Sequence, residues 1–371
     1  MASLWFKYFN ISQIAGTFVA MSDELYLKRC LELAEMGNGS VSPNPLVGCV
    51  IVSGGKIIGE GYHKKYGQAH AEVNAVNAVL EKFGDQARVL LKAATVYVSL
   101  EPCAHFGKTP PCADLLIRHQ VKKVVVGTRD PFEDVNGKGI ERLQEAGIEV
   151  VSGVLEKECR YVNRRFFTRV TQQRPYIILK WAATANGYFA AKNTVQQWIS
   201  GPLAKKLVHK WRTEEDAVLV GKHTARIDNP QLSAREWPGK NPVRLLIDRN
   251  LEVDSSSLLY NDAAKTIIFN EVKTEVINNI HYVSMEDMQY YLPQKIAYQL
   301  YLMDIQSVII EGGAHILNQF IASGLWDEAR VFTSSTSWDN GIFAPQINGR
   351  ITDITTVDKD NLTLYQNRVN E

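Results

Sequence analysis

His70-Ala71-Glu72-Val73-Asn74-Ala75-Val76, followed by TVYVSLEPCAHFGKTPPC over residues 95–112, is the stretch that decides how this chain is read. The first piece opens a helical segment expected to run from His70 through Leu80. The second begins as a β-branched and aromatic strand over 95–100 and breaks at Pro102. His70, Cys103 and Cys112 are therefore expected at strand-to-helix turns of one βαβ-like unit. An imidazole and two thiolates are three ligands for zinc that leave its fourth tetrahedral position open to water. Zinc can bring the pKa of such a water from about 15.7 to about 7. Glu72, two residues past His70, is placed to shuttle a proton rather than to bind metal. Taken singly, HAE is an ordinary helix start and Cys103 a buried small hydrophobe. Their paired placement and order favour the metal. Cys30, Cys49 and Cys159 have no such partners and are read as packing residues.

The surrounding pattern is α/β. An amphipathic helix is expected over 23–35, two strands in VGCVIV and KIIGEGYH about the turn Ser53-Gly54-Gly55, a helix in ADLLIRHQ, a strand in VKKVVVGT, a helix near 140–146 and a strand in EVVSG. The polar stretch 166–175 ends in Pro175 and shows no strand period, so it reads as a linker. Beyond it the alternation restarts with YIILKWAATA, a helix around 202–213, AVLVG, VRLLID, KTIIF, SVIIEGG and a helix after it, which indicates a second α/β domain. The expected division is a domain carrying the His/Cys/Cys cluster over 21–165 and a second domain over 174–371. Residues 1–20 are expected to be a leader ahead of a start at Met21: Asn10, Ser12 and Gln13 interrupt the apolar run a signal peptide needs, and Lys7 is its one positive charge.

Lys plus Arg (41) nearly cancels Asp plus Glu (40) in 371 residues, which argues against a broad nucleic-acid footprint. No stretch reaches the roughly 18 apolar residues of a membrane span. Five cysteines are too few and too sparse for a disulfide framework and fit a reducing cytoplasm. A homo-oligomer acting on a small molecule, with no nucleic-acid or membrane partner, is expected. Two other readings of the metal cluster compete: a nucleic-acid deaminase, which would need a basic face with stacking aromatics, and a structural zinc protein, which would need a fourth ligand.

HAEVNAV, the His-x-Glu and Pro-Cys pattern of zinc deaminases, is joined here by a Cys103-to-Cys112 spacing far longer than the general two-residue gap. With PNPLVGCVIV upstream and DP…GKG downstream, it resembles the deaminase domain of the bifunctional riboflavin-biosynthesis deaminase/reductases, whose own motif has this long spacing. The resemblance runs from Met21 to the C-terminus and implies a cytidine-deaminase-like αβα domain followed by a dihydrofolate-reductase-like domain. It implies His70, Cys103 and Cys112 as zinc ligands, Glu72 as the proton shuttle, and Asn44, His63, Lys108 and Thr109 as the wall of a substrate pocket. A cation and a hydroxyl there suit a ribose-phosphate tail. The implied chemistry is hydrolytic removal of the 2-amino group of 2,5-diamino-6-ribosylamino-4(3H)-pyrimidinone 5′-phosphate, then NADPH reduction of the ribosyl to a ribityl chain. Relatives often read DPNP where this chain has Phe132, so no polar role is given to that position.

In the second half, IIEGG running into HILNQFI is a strand, a glycine turn and a helix start, where backbone N–H groups can cradle phosphate. The full G-x-G-x-x-G fingerprint is lacking, which argues against a Rossmann fold. LKWAATANGYFA, QQWISG, WRTEEDAVLVG, TARIDNPQLSAR, RLLID and IIEGG resemble, in order, the motifs of the same family's reductase domain. That implies NADPH contacts from Ala182, Trp198, Thr224, Asp228 and the turn Gly313, Ala314, His315, Ile316, Leu317, Asn318 and Gln319, and substrate contacts from Arg212, Leu232, Arg235 and Glu311. Asn186 and Gln196 depart from the family's pattern and carry no assignment. Asp228, in a short turn closed by Pro230 at the mouth of a sheet, is the expected catalytic carboxylate, with Lys180 balancing its charge.

Overall fold

Runs such as CVIV, VVV and YIIL bury side chains alternately on two faces of a strand, and the central strands of the two large sheets are built from them. The structure, a computed structural model, describes residues 18–104, 110–133, 135–192 and 198–368. It groups into two units: Leu46–Val162 with the described residues up to Gly37, and Asn163 onward together with Asn38–Pro45.

The first unit runs α1 (Phe18–Glu35), β1 (Gly48–Ser53), β2 (Lys56–Tyr62), α2 (Ala71–Phe83), α3 (Ala87–Lys92), β3 (Thr95–Leu100), α4 (Cys112–Arg118), β4 (Lys123–Thr128), α5 (Lys138–Glu145), β5 (Glu149–Ser152) and α6 (Glu156–Val162). Its sheet has the order β2-β1-β3-β4-β5, antiparallel at β1 and parallel from β3 to β5. Cys49, Ile51, Val96 and Val98 face one core with Ala75, Val76 and Val79 of α2. Val50, Val52 and Tyr97 face the other with Leu27 and Leu33 of α1. Helix α1 starts at Phe18, so residues 18–20, assigned above to the leader, are helical.

The second unit runs α7 (Arg164–Gln172), β6 (Tyr176–Ala183), β7 (Tyr188–Ala190), α8 (Pro202–Glu214), β8 (Ala217–Gly221), α9 (Lys222–Asp228), β9 (Val243–Ile247), β10 (Thr266–Asn270), β11 (Glu275–Ile277), β12 (Ile280–Ser284), α10 (Leu292–Leu302), β13 (Ser307–Ile310), α11 (Ala314–Ala322), β14 (Glu328–Thr333), β15 (Ile342–Phe343), β16 (Gly349–Val357) and β17 (Asp360–Asn367). Ten strands form one sheet in the order β11-β12-β10-β9-β8-β13-β6-β14-β17-β16, while β15 pairs with β7. Strand β6 sends Ile177, Leu179 and Trp181 into one core and Tyr176 and Ile178 into the other.

The stretch read as a linker is helical as far as Gln172. Helix α7 buries Phe167 and Thr168, and its three arginines are ion-paired rather than solvated. Arg165 grips the fully buried Glu215 in a two-pronged ion pair, and Arg330 donates to the same carboxylate at 3.3 Å. Burial pushes the Glu215 pKa up, but the charge and hydrogen bonds of Arg165 outweigh it and hold the group at about 2.

Removing one partner from such a cluster leaves buried charge uncompensated, which typically destabilises by about 3–5 kcal/mol. Glu215→Gln in the full chain is expected to lower the thermal midpoint of the second unit by about 6–20 °C, at roughly 2–4 °C per kcal/mol for a unit of this size. Calorimetry showing an unshifted transition would contradict that reading of the cluster.

Candidate active sites

Three segments converge at the first unit's cluster. His70 is the extended residue just ahead of α2, and the Asn74 amide holds this entry by donating to Tyr62 O at 2.9 Å and Ala69 O at 3.3 Å. Cys103 lies shortly past β3, and Cys112 opens α4. The backbone N–H groups of Cys112 and Ala113 donate to Sγ and O of Cys103 at 3.3 and 3.2 Å. His70 Nδ1 lies 3.4 Å from Cys112 Sγ and 3.7 Å from Cys103 Sγ, and the ligand-bearing atoms of the three residues lie within 4.8 Å of one another. Two sulfurs and an imidazole at that separation suit a tetrahedral zinc with one position left for water, and among the described residues no fourth His, Cys, Asp or Glu joins the group.

Hydrogen bonding with Cys112 and then with His70 draws the Cys103 thiol down to about 4, while the same contact with Cys103, and burial, push the Cys112 thiol up. Glu72, in the first turn of α2, is 3% exposed. Burial raises its carboxyl to about 7, a value suited to taking up and returning a proton near neutrality.

His63 is buried beside His70, with ring centroids 5.5 Å apart, and its Nδ1 lies 3.1 Å from Ala69 O. Asn44 is half-buried in the segment grouped with the second unit. Lys108 and Thr109 lie outside the described residues, as does Gln196. Phe132 is exposed, and its N–H donates to Asp130 at 2.9 Å. Sequence reasoning passed over Glu101. Its buried carboxylate accepts from the N–H groups of Asp130, Gly137, Gly139 and Ile140 at 2.9 to 3.3 Å. The signal was available: an acid directly before the Pro-Cys break, at a strand end that buries its surroundings.

In the second unit two adjoining cavities of about 420 Å³ each open at the ends of β6, β8 and β13. They share Lys180, Trp198, Ser200, Thr224, Asp228 and Glu311. The expected substrate residues Arg212, Leu232 and Arg235 line the first cavity. Ala182, Gly313, Ala314 and His315 line the second. Gly313, at φ +63°, turns the chain from β13 into α11 in a conformation that favours glycine. Ile316 and Leu317 bury their side chains in the core, so only their backbone faces the turn. Asn318 and Gln319 lie farther along α11, where Gln319 Nε2 is 3.0 Å from His315 Nε2. Asn186 is a turn residue, accepting from the Thr184 hydroxyl at 2.8 Å and donating to Trp338 O at 2.7 Å. Lys205 and His209 also line the first cavity, and sequence reasoning missed both. They recur with Arg212 at i, i+4 and i+7 on α8, the spacing of one helix face.

Charge is distributed unevenly here. Arg212 donates from Nε and Nη2 to the two oxygens of Glu311 at 2.8 and 2.7 Å and from Nη1 to Ser233 O at 3.0 Å. Burial raises the Glu311 pKa, but the Arg212 charge and its hydrogen bond prevail, with help from Lys180, and hold it at about 2. Among the described residues the side chains of Lys180 and Asp228 have no hydrogen-bond partner; burial lowers the pKa of Lys180 and raises that of Asp228.

Residues 20–128 match the cytidine and deoxycytidylate deaminase zinc-binding region, and residues 175–336 match the RibD C-terminal domain. A riboflavin biosynthesis protein RibD from Aquifex aeolicus is 41% identical over 324 residues, spanning 86% of this chain and 89% of that protein. The chain belongs to the RibD family. Another RibD, from Escherichia coli, is 35% identical over 328 residues, spanning 84% of this chain and 87% of that one. A solved diaminohydroxyphosphoribosylaminopyrimidine deaminase/5-amino-6-(5-phosphoribosylamino)uracil reductase from Thermotoga maritima superposes with a TM-score of 0.86 at 35% identity, covering 94% of this chain and 99% of that one. Like the RibD family, the chain is a bifunctional enzyme of riboflavin biosynthesis, a zinc-dependent deaminase joined to an NADPH-dependent reductase, and its substrate is a small phosphorylated pyrimidine. Among the described residues no helix is long and apolar enough to cross a membrane.

The Arg212–Glu311 pair of the RibD reductase unit gives a pH test. With a folded pKa of about 2 against an ordinary 4.5, Glu311 contributes stability that is complete above pH 4.5 and lost as pH falls toward 2. In Arg212→Met burial acts with less opposition and the carboxyl rises. The stability gap between wild type and variant should therefore be widest near pH 7 and narrow below about pH 4.5. Urea midpoints at both pH values check this; a gap independent of pH counts against the pair.

Proposed function

We propose that His70, Cys103 and Cys112 hold the zinc and that Glu72 carries the proton in deamination, with Asn44, His63, Lys108 and Thr109 lining the substrate pocket. The observation that carries this reading is the set of three donor atoms within 4.8 Å beside a buried carboxyl. Zinc, when bound, supplies the Lewis acidity that makes a water nucleophilic near neutral pH. Glu72 accepts a proton from the attacking water at its carboxylate and delivers it to the departing amino group, so that water enters and ammonia leaves. Cys103 and Cys112 stay deprotonated throughout, and the buried setting of Glu72 keeps bulk water from competing for the proton.

For the reductase we propose that Arg212, Leu232, Arg235 and Glu311 seat the deaminated substrate. Ala182, Trp198, Thr224, Asp228 and the backbone of the turn Gly313–Gln319 seat the cofactor. NADPH, when bound, supplies the hydride. Asp228, its pKa raised by burial, hands a proton to the ribosyl oxygen or nitrogen, and Lys180 balances the charge left behind. That both residues line both cavities supports placing them at the reacting carbon. We also propose a homo-oligomer in a reducing cytoplasm. Strand β16, at the edge of the sheet with Ile351 and Ile354 exposed, supports self-association, and five free cysteines support the compartment.

Glu72→Gln is expected to keep its zinc while deamination falls by about 10²–10⁴-fold, the usual contribution of a general acid–base group. Loss of zinc in this variant would instead make Glu72 a ligand. Asp228→Asn should fold, retain zinc and deaminate at the wild-type rate, yet lose about 10²-fold or more in NADPH oxidation with deaminated substrate. Near-normal turnover there would mean that Asp228 is a structural turn residue.

A further inference from the structure

Helix α5 holds none of the proposed ligands, yet it touches both cysteine-bearing segments. Arg142 Nη1 donates to the carbonyl of Ala104, next to Cys103, at 3.1 Å. Its Nε pairs with Asp114, two residues past Cys112, at 2.7 Å. One guanidinium thus spans the residues flanking both sulfurs. The start of the same helix is fixed against β3 by Glu101, which accepts from Gly139 and Ile140 at 3.0 and 3.3 Å and from Gly137 ahead of them at 2.9 Å. The approach is close enough that a Cβ on Gly139 would meet Pro102 O at 1.9 Å. Residues 101, 102, 104 and 114 are therefore all referred to one rigid element.

We propose that α5 sets the separation of the two thiolate ligands and that Arg142 is the positioning residue that does so. This rests on the assignment of His70, Cys103 and Cys112 as zinc ligands. Two thiolates repel each other and do not stay together by themselves. The direct ties between them run from the N–H groups of Cys112 and Ala113 to Cys103; Ala113 and Leu116 anchor α4 in the core, and Arg142 fixes the orientation of its first turn through Asp114. A guanidinium suits the task because its planar fork reaches a carboxylate and a carbonyl at once, whereas a lysine presents a single flexible point charge. The Arg142 side chain is 40% exposed. An ion pair that open to solvent adds little to fold stability, so its removal acts on ligand geometry and not on the unit as a whole.

The test is zinc affinity of the full-length protein, read by competition with a chromophoric chelator. Groups that orient metal ligands typically contribute about 10–100-fold to metal affinity, and Arg142→Met is expected to weaken zinc binding by that factor. Arg142→Lys should fall between. NADPH oxidation with deaminated substrate, carried by the other unit, should not change, and an unchanged thermal transition of the first unit reports that the altered unit is folded. In the cobalt-loaded protein the thiolate-to-metal absorption band should shift or lose intensity in Arg142→Met. Asp114→Asn removes one half of the bridge and should weaken affinity on its own, while the double variant should be no weaker than Arg142→Met. Wild-type zinc affinity in Arg142→Met, or fully additive losses in the double variant, overturns the proposal. Should Arg142→Met fail to fold, Asp114→Asn alone decides: unchanged affinity overturns it. Cys112→Ser separates the two levels, since retention of tight zinc there defeats the ligand assignment itself, whatever Arg142 does.

Discussion

A parallel strand covered on both faces can offer functional groups only where it stops. That constraint governs both units. Strands β3 and β4 carry Val96, Val98, Val124 and Val126 into one core and Tyr97 and Val125 into another, and the Ser99 hydroxyl within β3 is taken up in accepting from the Gly48 N–H. Chemistry begins at residue 101, immediately past β3. In the second unit β13 stops at Ile310, level with Leu179 of β6, so Lys180 and Glu311 stand side by side where the shorter strand ends and line the same cavities. Ligand sites at the carboxyl ends of α/β strands are the general outcome of this geometry.

Because the sites lie at strand ends, their precision depends on the residues that take over once each strand stops. After β3 the chain meets a proline and a cysteine, and helix α4 brings back the second sulfur. After β13 a glycine in the left-handed region turns the chain at once into α11, leaving the first backbone N–H groups of that helix without intrahelical acceptors. After β8, α9 ends with Asn229 in a left-handed conformation that exposes the Asp228 carboxylate to the cavities.

Local chemistry was easy to read from sequence. His70, Glu72, Cys103 and Cys112 belong to a spacing that few other functions require, Lys180 interrupts the apolar run of β6, and Asp228 follows the apolar run of β8. What escaped was information held in long-range contacts. The stretch 166–175 looked solvated because nothing in it shows that Arg169 finds Asp304 and Arg174 finds Asp327 more than a hundred residues later. The reach of Arg142 to residues 104 and 114 has no local signature either. Strand β16, exposed along nearly its whole length, lacks the alternation that marks a half-buried strand, and it was not anticipated. Ile316 and Leu317 were grouped with the cofactor turn by their position, although their side chains serve the core.

Lys180, Asp228 and Glu311 line both cavities of the reductase unit. An occupant of either one alters the solvation and the charge felt by the same three side chains. Occupancy of one cavity thereby changes the free energy of occupying the other, and thermodynamic linkage makes the effect mutual. On the seating proposed above, whatever factor a sugar-phosphate imposes on the affinity for a dinucleotide, the dinucleotide imposes on the affinity for the sugar-phosphate, because the wall between them is common to both.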